Sequence, residues 1–228
     1  MISVIIPTIM RVDRIYQTLI ELSKCEYVGE IILIDNTKNK TPIKLDKLVH
    51  ICEGENTYVN PAWNKGVSIS KYNKLCILND DLWFDWNKLG VISTFITKDV
   101  GLLGMSNNNY NNPKDSIELV PTNFRSNGFG CCFFLHKDNW DEIPSDLKLW
   151  CGDDWLFYRS RHQNFCIDGL KCDGFISASM DDKFLSSEID LIKINDMYSM
   201  SKLIDEGKIF NYLYGTIWEK YNWNITKQ

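Results

Sequence analysis

Lys74-Leu75-Cys76-Ile77-Leu78-Asn79-Asp80-Asp81-Leu82-Trp83-Phe84 is an apolar run that ends in two adjacent carboxylates. A short apolar stretch closed by polar residues reads as a strand buried on both faces, and its acids fall where the chain leaves the sheet. The pattern recurs upstream. Ile2 to Ile6 is closed by Pro7-Thr8, Ile31 to Ile34 ends in Asp35-Asn36, and Leu48 to Cys52 makes a further short run. Between the first two, Val12, Ile15, Tyr16, Leu19 and Leu22 have helical spacing. Before Lys74, Asn60 as cap and Pro61 as first helical residue predict another helix, with Trp63 and Val67 one turn apart. Strands alternating with helices predict an α/β fold with a mixed, mostly parallel sheet flanked by helices. In such sheets ligands gather at the carboxyl ends of the strands, which here carry Pro7-Thr8, Asp35-Asn36 and Asn79-Asp80-Asp81.

The second half is less regular. The spacing predicts a helix from Trp86 to Ile96, a strand near Val100 to Met105, a polar loop from Ser106 to Pro113 and a buried strand from Phe129 to Leu135. Gly152-Asp153-Asp154-Trp155 opens a helix running towards Gln163. Near the end Phe210, Leu213, Tyr214, Ile217, Trp218 and Tyr221 form an aromatic stripe at helical spacing, read either as a helix packed back on the domain or as a homodimer contact.

The 25 basic and 30 acidic residues leave a net charge of −5, which disfavours broad attraction to nucleic acid or anionic lipid. Met1 leads directly into an apolar strand without a basic leader, and no apolar run approaches the roughly 20 residues of a membrane span, so a cytoplasmic protein is expected. The eight cysteines show no Cys-x-x-Cys spacing and read as reduced, mostly buried residues. Abundant Lys, Asn and Ile match an AT-rich genome, bacterial or viral.

Adjacent carboxylates at a sheet edge suit a hard divalent cation, Mg²⁺ or Mn²⁺, whose other positions stay open to water and phosphate oxygens. The same pair can instead open a turn or cap a helix. Ser3-Val4-Ile5-Ile6-Pro7-Thr8, Glu30 to Asn36, Ala62-Trp63-Asn64-Lys65-Gly66-Val67, Leu78-Asn79-Asp80-Asp81 and Gly152 to Phe157 together resemble, in order and spacing, the family-2-type glycosyltransferases of GT-A fold. That resemblance implies one GT-A domain over residues 1–228: a nucleotide-sugar half (1–105), an acceptor and catalytic half (106–185) and a C-terminal helical segment (186–228). It places Pro7, Thr8 and Arg11 against the nucleoside, Asp35 on the base or ribose, and Asn64 and Lys65 at the border of the nucleotide pocket. Asn79, Asp80 and Asp81 stand where the family has its DXD motif, with Asp81 on the metal and Asp80 facing the ribose or a metal-bound water. Asp153 and Asp154 match the family's acidic pair, whose second member is the general base, and Gly128 and Gly130 match a stretch that passes close to donor sugar and acceptor.

The implied reaction is inverting transfer of a sugar from a nucleotide diphosphate sugar, a UDP-sugar by preference, to a hydroxyl acceptor such as a glycan. A hydroxymethylated base in viral DNA is a rival acceptor. A nucleotidyltransferase or a non-catalytic sugar-nucleotide-binding module are rivals of another class, the first disfavoured by the lack of a Gly-rich phosphate loop near the first strand. Two positions depart from the family pattern. Trp63 stands where an arginine is frequent, which suggests stacking on the ligand. No histidine follows the acidic pair between Gly174 and Asp182, which leaves Asp181 or Asp182 to complete a metal site.

Overall fold

The computed structural model describes residues 1–38, 41–111, 113–172 and 187–209. Its elements are β1 (Ile2–Thr8), α1 (Arg14–Lys24), β2 (Val28–Asp35), β3 (Leu48–Cys52), α2 (Val59–Ile69), β4 (Lys74–Leu78), α3 (Leu89–Phe95), β5 (Leu103–Met105) and α4 (Asn108–Asn111), followed by β6 (Glu118–Thr122), β7 (Cys132–His136), α5 (Gly152–Arg159), β8 (Asn164–Asp168) and α6 (Ser187–Asp205). All eight strands join one sheet in the order β3-β2-β1-β4-β7-β5-β8-β6. The pairs β1·β2, β1·β4, β2·β3 and β5·β8 are parallel, and β4·β7, β5·β7 and β6·β8 are antiparallel. The sheet is thus mixed, with a parallel half made by the first four strands.

β1 is buried along its whole length because both faces of the sheet are covered. On one face Val4 and Ile6 pack with Ile15, Leu19 and Leu22 of α1 and Leu89 and Ile92 of α3. On the other, Ile5 packs with Ala62, Trp63 and Val67 of α2, in the core that also takes Leu156 and Phe157 of α5 and Met200 and Ile204 of α6. Gly66 lets α2 lie flat on β1: a Cβ there would come within 2.4 Å of Ile5 Cγ2.

Several local expectations are corrected. The helix expected from Trp86 begins as a 3₁₀ turn over Trp86–Lys88, capped by Asp85 Oδ1, and α3 ends at Phe95. The strand near Val100 starts only at Leu103: Val100 N closes a turn on Thr97 O, and Gly101 N donates to Gln163 O from a distant segment. Phe129–Cys131 is a 3₁₀ turn behind Gly128, whose φ is +80°, so β7 starts at Cys132. α4 occupies part of the polar loop, and α5 stops at Arg159. β6 and β8 were not expected. Asn60 does not cap α2: the helix starts at Val59, and the buried Asn60 amide donates to the carbonyls of Leu147 and Trp150. Trp63 stacks on no cleft; it meets Phe133 edge-on at 5.4 Å in the core. The aromatic stripe from Phe210, with the dimer contact read from it, and the stretch holding Asp181 and Asp182 lie outside the described residues. All eight cysteines are free, and among the described residues no helix is long and apolar enough to cross a membrane.

Candidate active site

The carboxyl ends of β1 and β4 open onto one cleft, and Pro7, Thr8, Arg11, Asn79, Asp80 and Asp81 all line it. Parallel pairing of β1 with β4 brings these ends together from distant parts of the sequence. Thr8 Oγ1 donates to Asp80 Oδ2 at 2.6 Å and accepts from Met10 N at 2.8 Å, which ties the loop after β1 to the loop after β4. Burial raises the Asp80 pKa above the ordinary carboxylate value, and the Thr8 hydroxyl and its own backbone offset only part of that. Among the described residues no basic side chain pairs with Asp80. A partly desolvated carboxylate at a cleft, beside the equally half-buried Asp81, is a donor set that a divalent cation would relieve. The residues therefore fit the metal expected at Asp81.

Tyr58, Leu149 and Ile189 line the same cleft. Tyr58 has φ +67° and ψ 180°, a conformation costly for a residue with a Cβ. Asn36 holds it there: its Nδ2 donates to Tyr58 O at 3.2 Å, and its Oδ1 accepts from Thr57 Oγ1 at 2.7 Å. The Tyr58 hydroxyl donates to Glu188 Oε1 at 3.2 Å, and Lys148 Nζ lies 5.8 Å from the ring centroid.

The second acidic pair opens α5. Arg125, in the segment after β6, reaches both members: its Nε donates to Asp154 Oδ1 at 2.6 Å, and its NH1 lies 3.0 Å from Asp153 Oδ2. The two aspartate clusters meet at the turn before β7. Asn79 N donates to Cys131 O at 2.9 Å, and a Cβ on Gly130 would come within 2.2 Å of Asp153 Oδ2. The Cys131 thiol is pushed up to about 11, first by burial and then by the Asp81 carboxylate, with Asp153 adding to it and the Tyr110 hydroxyl and Arg125 opposing. One side chain thus feels the charges of Asp81, Asp153 and Arg125.

Residues 3–149, more than half of the chain, match the family model described as Glycosyl transferase family 2. The chain belongs to glycosyl transferase family 2. Its fold is that of solved GT-A structures. TarS 1–349 of S. aureus aligns with a TM-score of 0.53 and 18% identity over 73% of this chain and 58% of that one. Full TarS aligns at 0.58 and 15% over 89% and 39%, so this family 2 chain spans well under two thirds of the TarS length. The mannosyltransferase PcManGT of Pyrobaculum calidifontis, solved with GDP-Man and Mn²⁺, aligns at 0.59 and 11% over 88% and 64%. TarS 1–349 has also been solved with UDP-GlcNAc. No curated protein matches the chain.

Of the residues carried over from the family pattern, Asp153 and Asp154 do not line the cleft of this family 2 chain and reach it only through the turn before β7, and Asn64, Lys65 and Asp35 stand apart from it. Asn64 is turned into the fold, donating to Ile143 O at 2.8 Å and accepting from Ile143 N at 3.0 Å and Trp140 Nε1 at 3.3 Å. Lys65 pairs with Glu53 on the surface. Asp35 is fully buried and accepts from Thr37 N at 2.9 Å and from His50 Nε2 at 3.2 Å. With Cys52 Sγ 3.6 Å from the same nitrogen, Asp35, His50 and Cys52 offer three atoms at metal-ligand spacing. Ile43 N donates to His50 Nδ1 at 2.7 Å, however, so a neutral ring carries its proton on Nε2, where a metal would need the lone pair. The trio is a hydrogen-bonded knot that braces the end of β2.

Arg125, Tyr58 and Cys131 were missed by sequence reasoning. Arg125 had one weak signal, as the only arginine between Arg14 and Arg159, next to the Gly128 and Gly130 turn. Tyr58 had none, because its place depends on a backbone strain that no residue type announces. Arg159, at the far end of α5, pairs with Asp141 and lies over the Trp155 ring at 4.4 Å from its centroid.

Proposed function

We propose that this chain transfers a sugar, with inversion, from a nucleoside diphosphate sugar to a hydroxyl acceptor such as a glycan. The reading rests on one observation, the contact of both aspartate clusters with the Gly130-Cys131 turn. Family membership supports it, as do neighbours solved with UDP-GlcNAc and with GDP-Man and Mn²⁺.

The cleft between the loops after β1 and β4 takes the nucleotide, lined by Pro7, Thr8, Arg11 and Tyr58. A divalent cation held by Asp81, with Asp80 beside it, supplies positive charge for the departing diphosphate when bound. Asp154 takes the proton of the acceptor hydroxyl as that oxygen attacks the anomeric carbon. It sits in the first turn of α5, where the helix dipole favours a negative charge. Asp153, one residue earlier, adds like charge that Arg125 balances. A UDP-sugar is the preferred donor, and a net charge of −5 disfavours duplex DNA as the carrier of the acceptor.

Thermal unfolding with a panel of UDP-GlcNAc, UDP-glucose and GDP-mannose, with and without Mn²⁺, tests the reading. A donor at about 100 times its Kd adds about 2.7 kcal/mol, a rise of about 5–10 °C in Tm for a chain of this size. Asp81→Ala should abolish the Mn²⁺-dependent rise, and Asp154→Asn should keep it while losing transfer. Normal transfer by Asp154→Asn would remove Asp154 as the base.

A further inference from the structure

The two acids at the start of α5 are neighbours in sequence and carry like charge, yet both are largely withdrawn from water. The Asp154 side chain is 4% exposed, and those of Asp153 and Arg125 are 17% exposed each. One guanidinium spans them, with Nε on Asp154 and NH1 on Asp153. Its planar fork suits this two-pronged contact, whereas an ammonium would supply charge without the geometry. The segment that delivers Arg125 is itself fixed. Thr122 Oγ1 donates to Phe124 O at 2.7 Å before it, and the left-handed Gly128 behind it accepts from the Tyr110 hydroxyl at 3.3 Å.

From this geometry we infer that Arg125 is a positioning residue for proton transfer: it fixes the Asp154 carboxylate and offsets the repulsion from Asp153. The inference rests on the proposed transfer, with Asp154 as base. Arg125 then acts on the reaction through Asp154, and its removal lowers kcat without weakening donor binding. A base of this kind contributes about 10²–10⁴ in rate, so a misplaced Asp154 forfeits part of that factor.

The test measures nucleoside diphosphate release with Mn²⁺ in the full chain, using whichever of UDP-GlcNAc, UDP-glucose and GDP-mannose the wild type turns over fastest. Arg125→Ala should lower kcat by about 30-fold or more with donor KM within about twofold. Methylguanidinium should restore part of the loss and methylammonium should not, because only the former rebuilds the fork. In the Asp154→Asn background Arg125→Ala should cost nothing further, since the two residues form one unit. If Arg125→Ala fails to fold, Arg125→Lys carries the same test, with an intermediate loss in kcat expected. An unchanged kcat, a rise in KM alone, or an equal loss with and without Asp154 would overturn the inference. A wild type that releases product from none of the donors would overturn the proposed transfer and the inference together.

Discussion

Asp80 combines partial burial with a single hydroxyl donor, and the consequence is a raised pKa. The folded chain holds that proton more tightly than the unfolded chain does. Its contribution to stability is therefore fullest below the unfolded carboxylate value and is lost as pH rises through the folded one. In chelator, Asp80→Asn should raise Tm near neutral pH, by about 2–4 °C per kcal/mol relieved, and the gain should shrink as the pH approaches about 4. An equal drop in Tm at both pH values would contradict this. Cys131 reports the other side of the cleft. With its thiol pushed up to about 11, the thiolate fraction at about pH 8 is about 10⁻³, against about a quarter for a free thiol. Iodoacetamide should label Cys131 about 100-fold or more slowly than a free thiol, and Asp81→Asn should speed it; peptide mass spectrometry reads both. The acids of the cleft were legible because adjacent carboxylates at the end of an apolar run are rare and fall at strand ends. Arg125 and Tyr58 were not, because their placement depends on φ values at Gly128 and at Tyr58 itself.

Elements were legible in proportion to their burial. β1, β2 and β4 are apolar runs with nearly every residue inside, so pattern and structure agree. β6 is an edge strand with Pro121 and mostly exposed side chains, and nothing in Glu118-Leu119-Val120-Pro121-Thr122 separates it from a loop. α6 was foreseen only as part of a helical segment, and its tie to the cleft was invisible. Asp196, 1% exposed, accepts from the backbone N–H groups of Lys148, Leu149 and Trp150 at 3.0, 2.7 and 2.8 Å. This anchors α6 on the loop that supplies Leu149 to the cleft, while Ile189 of the same helix lines it. Asp196→Ala leaves those amides without their acceptor and should cost about 2–5 kcal/mol. Urea unfolding should show a lower midpoint at unchanged slope, and donor KM should rise as the wall loosens. A midpoint equal to wild type would mean that α6 is held by Met200 and Ile204 alone.

At the scale of the whole molecule, the stretch matched by the family model and the stretch needed to fold are different lengths. The match ends at residue 149, yet the sheet does not close there. β8 lies between β5 and β6, and without Asn164–Asp168 the pairs β5·β8 and β6·β8 have no partner strand. The same region returns Leu156 and Phe157 to the core beside Ala62 and Trp63 of α2. Long-range pairing of this kind makes folding cooperative across the chain, because the late strand fixes earlier ones. A fragment of residues 1–149 should therefore lack a sharp thermal transition and near-ultraviolet dichroism, even though it keeps β1 to β4 and the Asp80-Asp81 loop. It should also show no Mn²⁺-dependent stabilisation by a nucleotide sugar. A cooperative transition in that fragment, with donor binding intact, would mean that the parallel half folds alone and that α5 and α6 are additions to a finished nucleotide-binding unit.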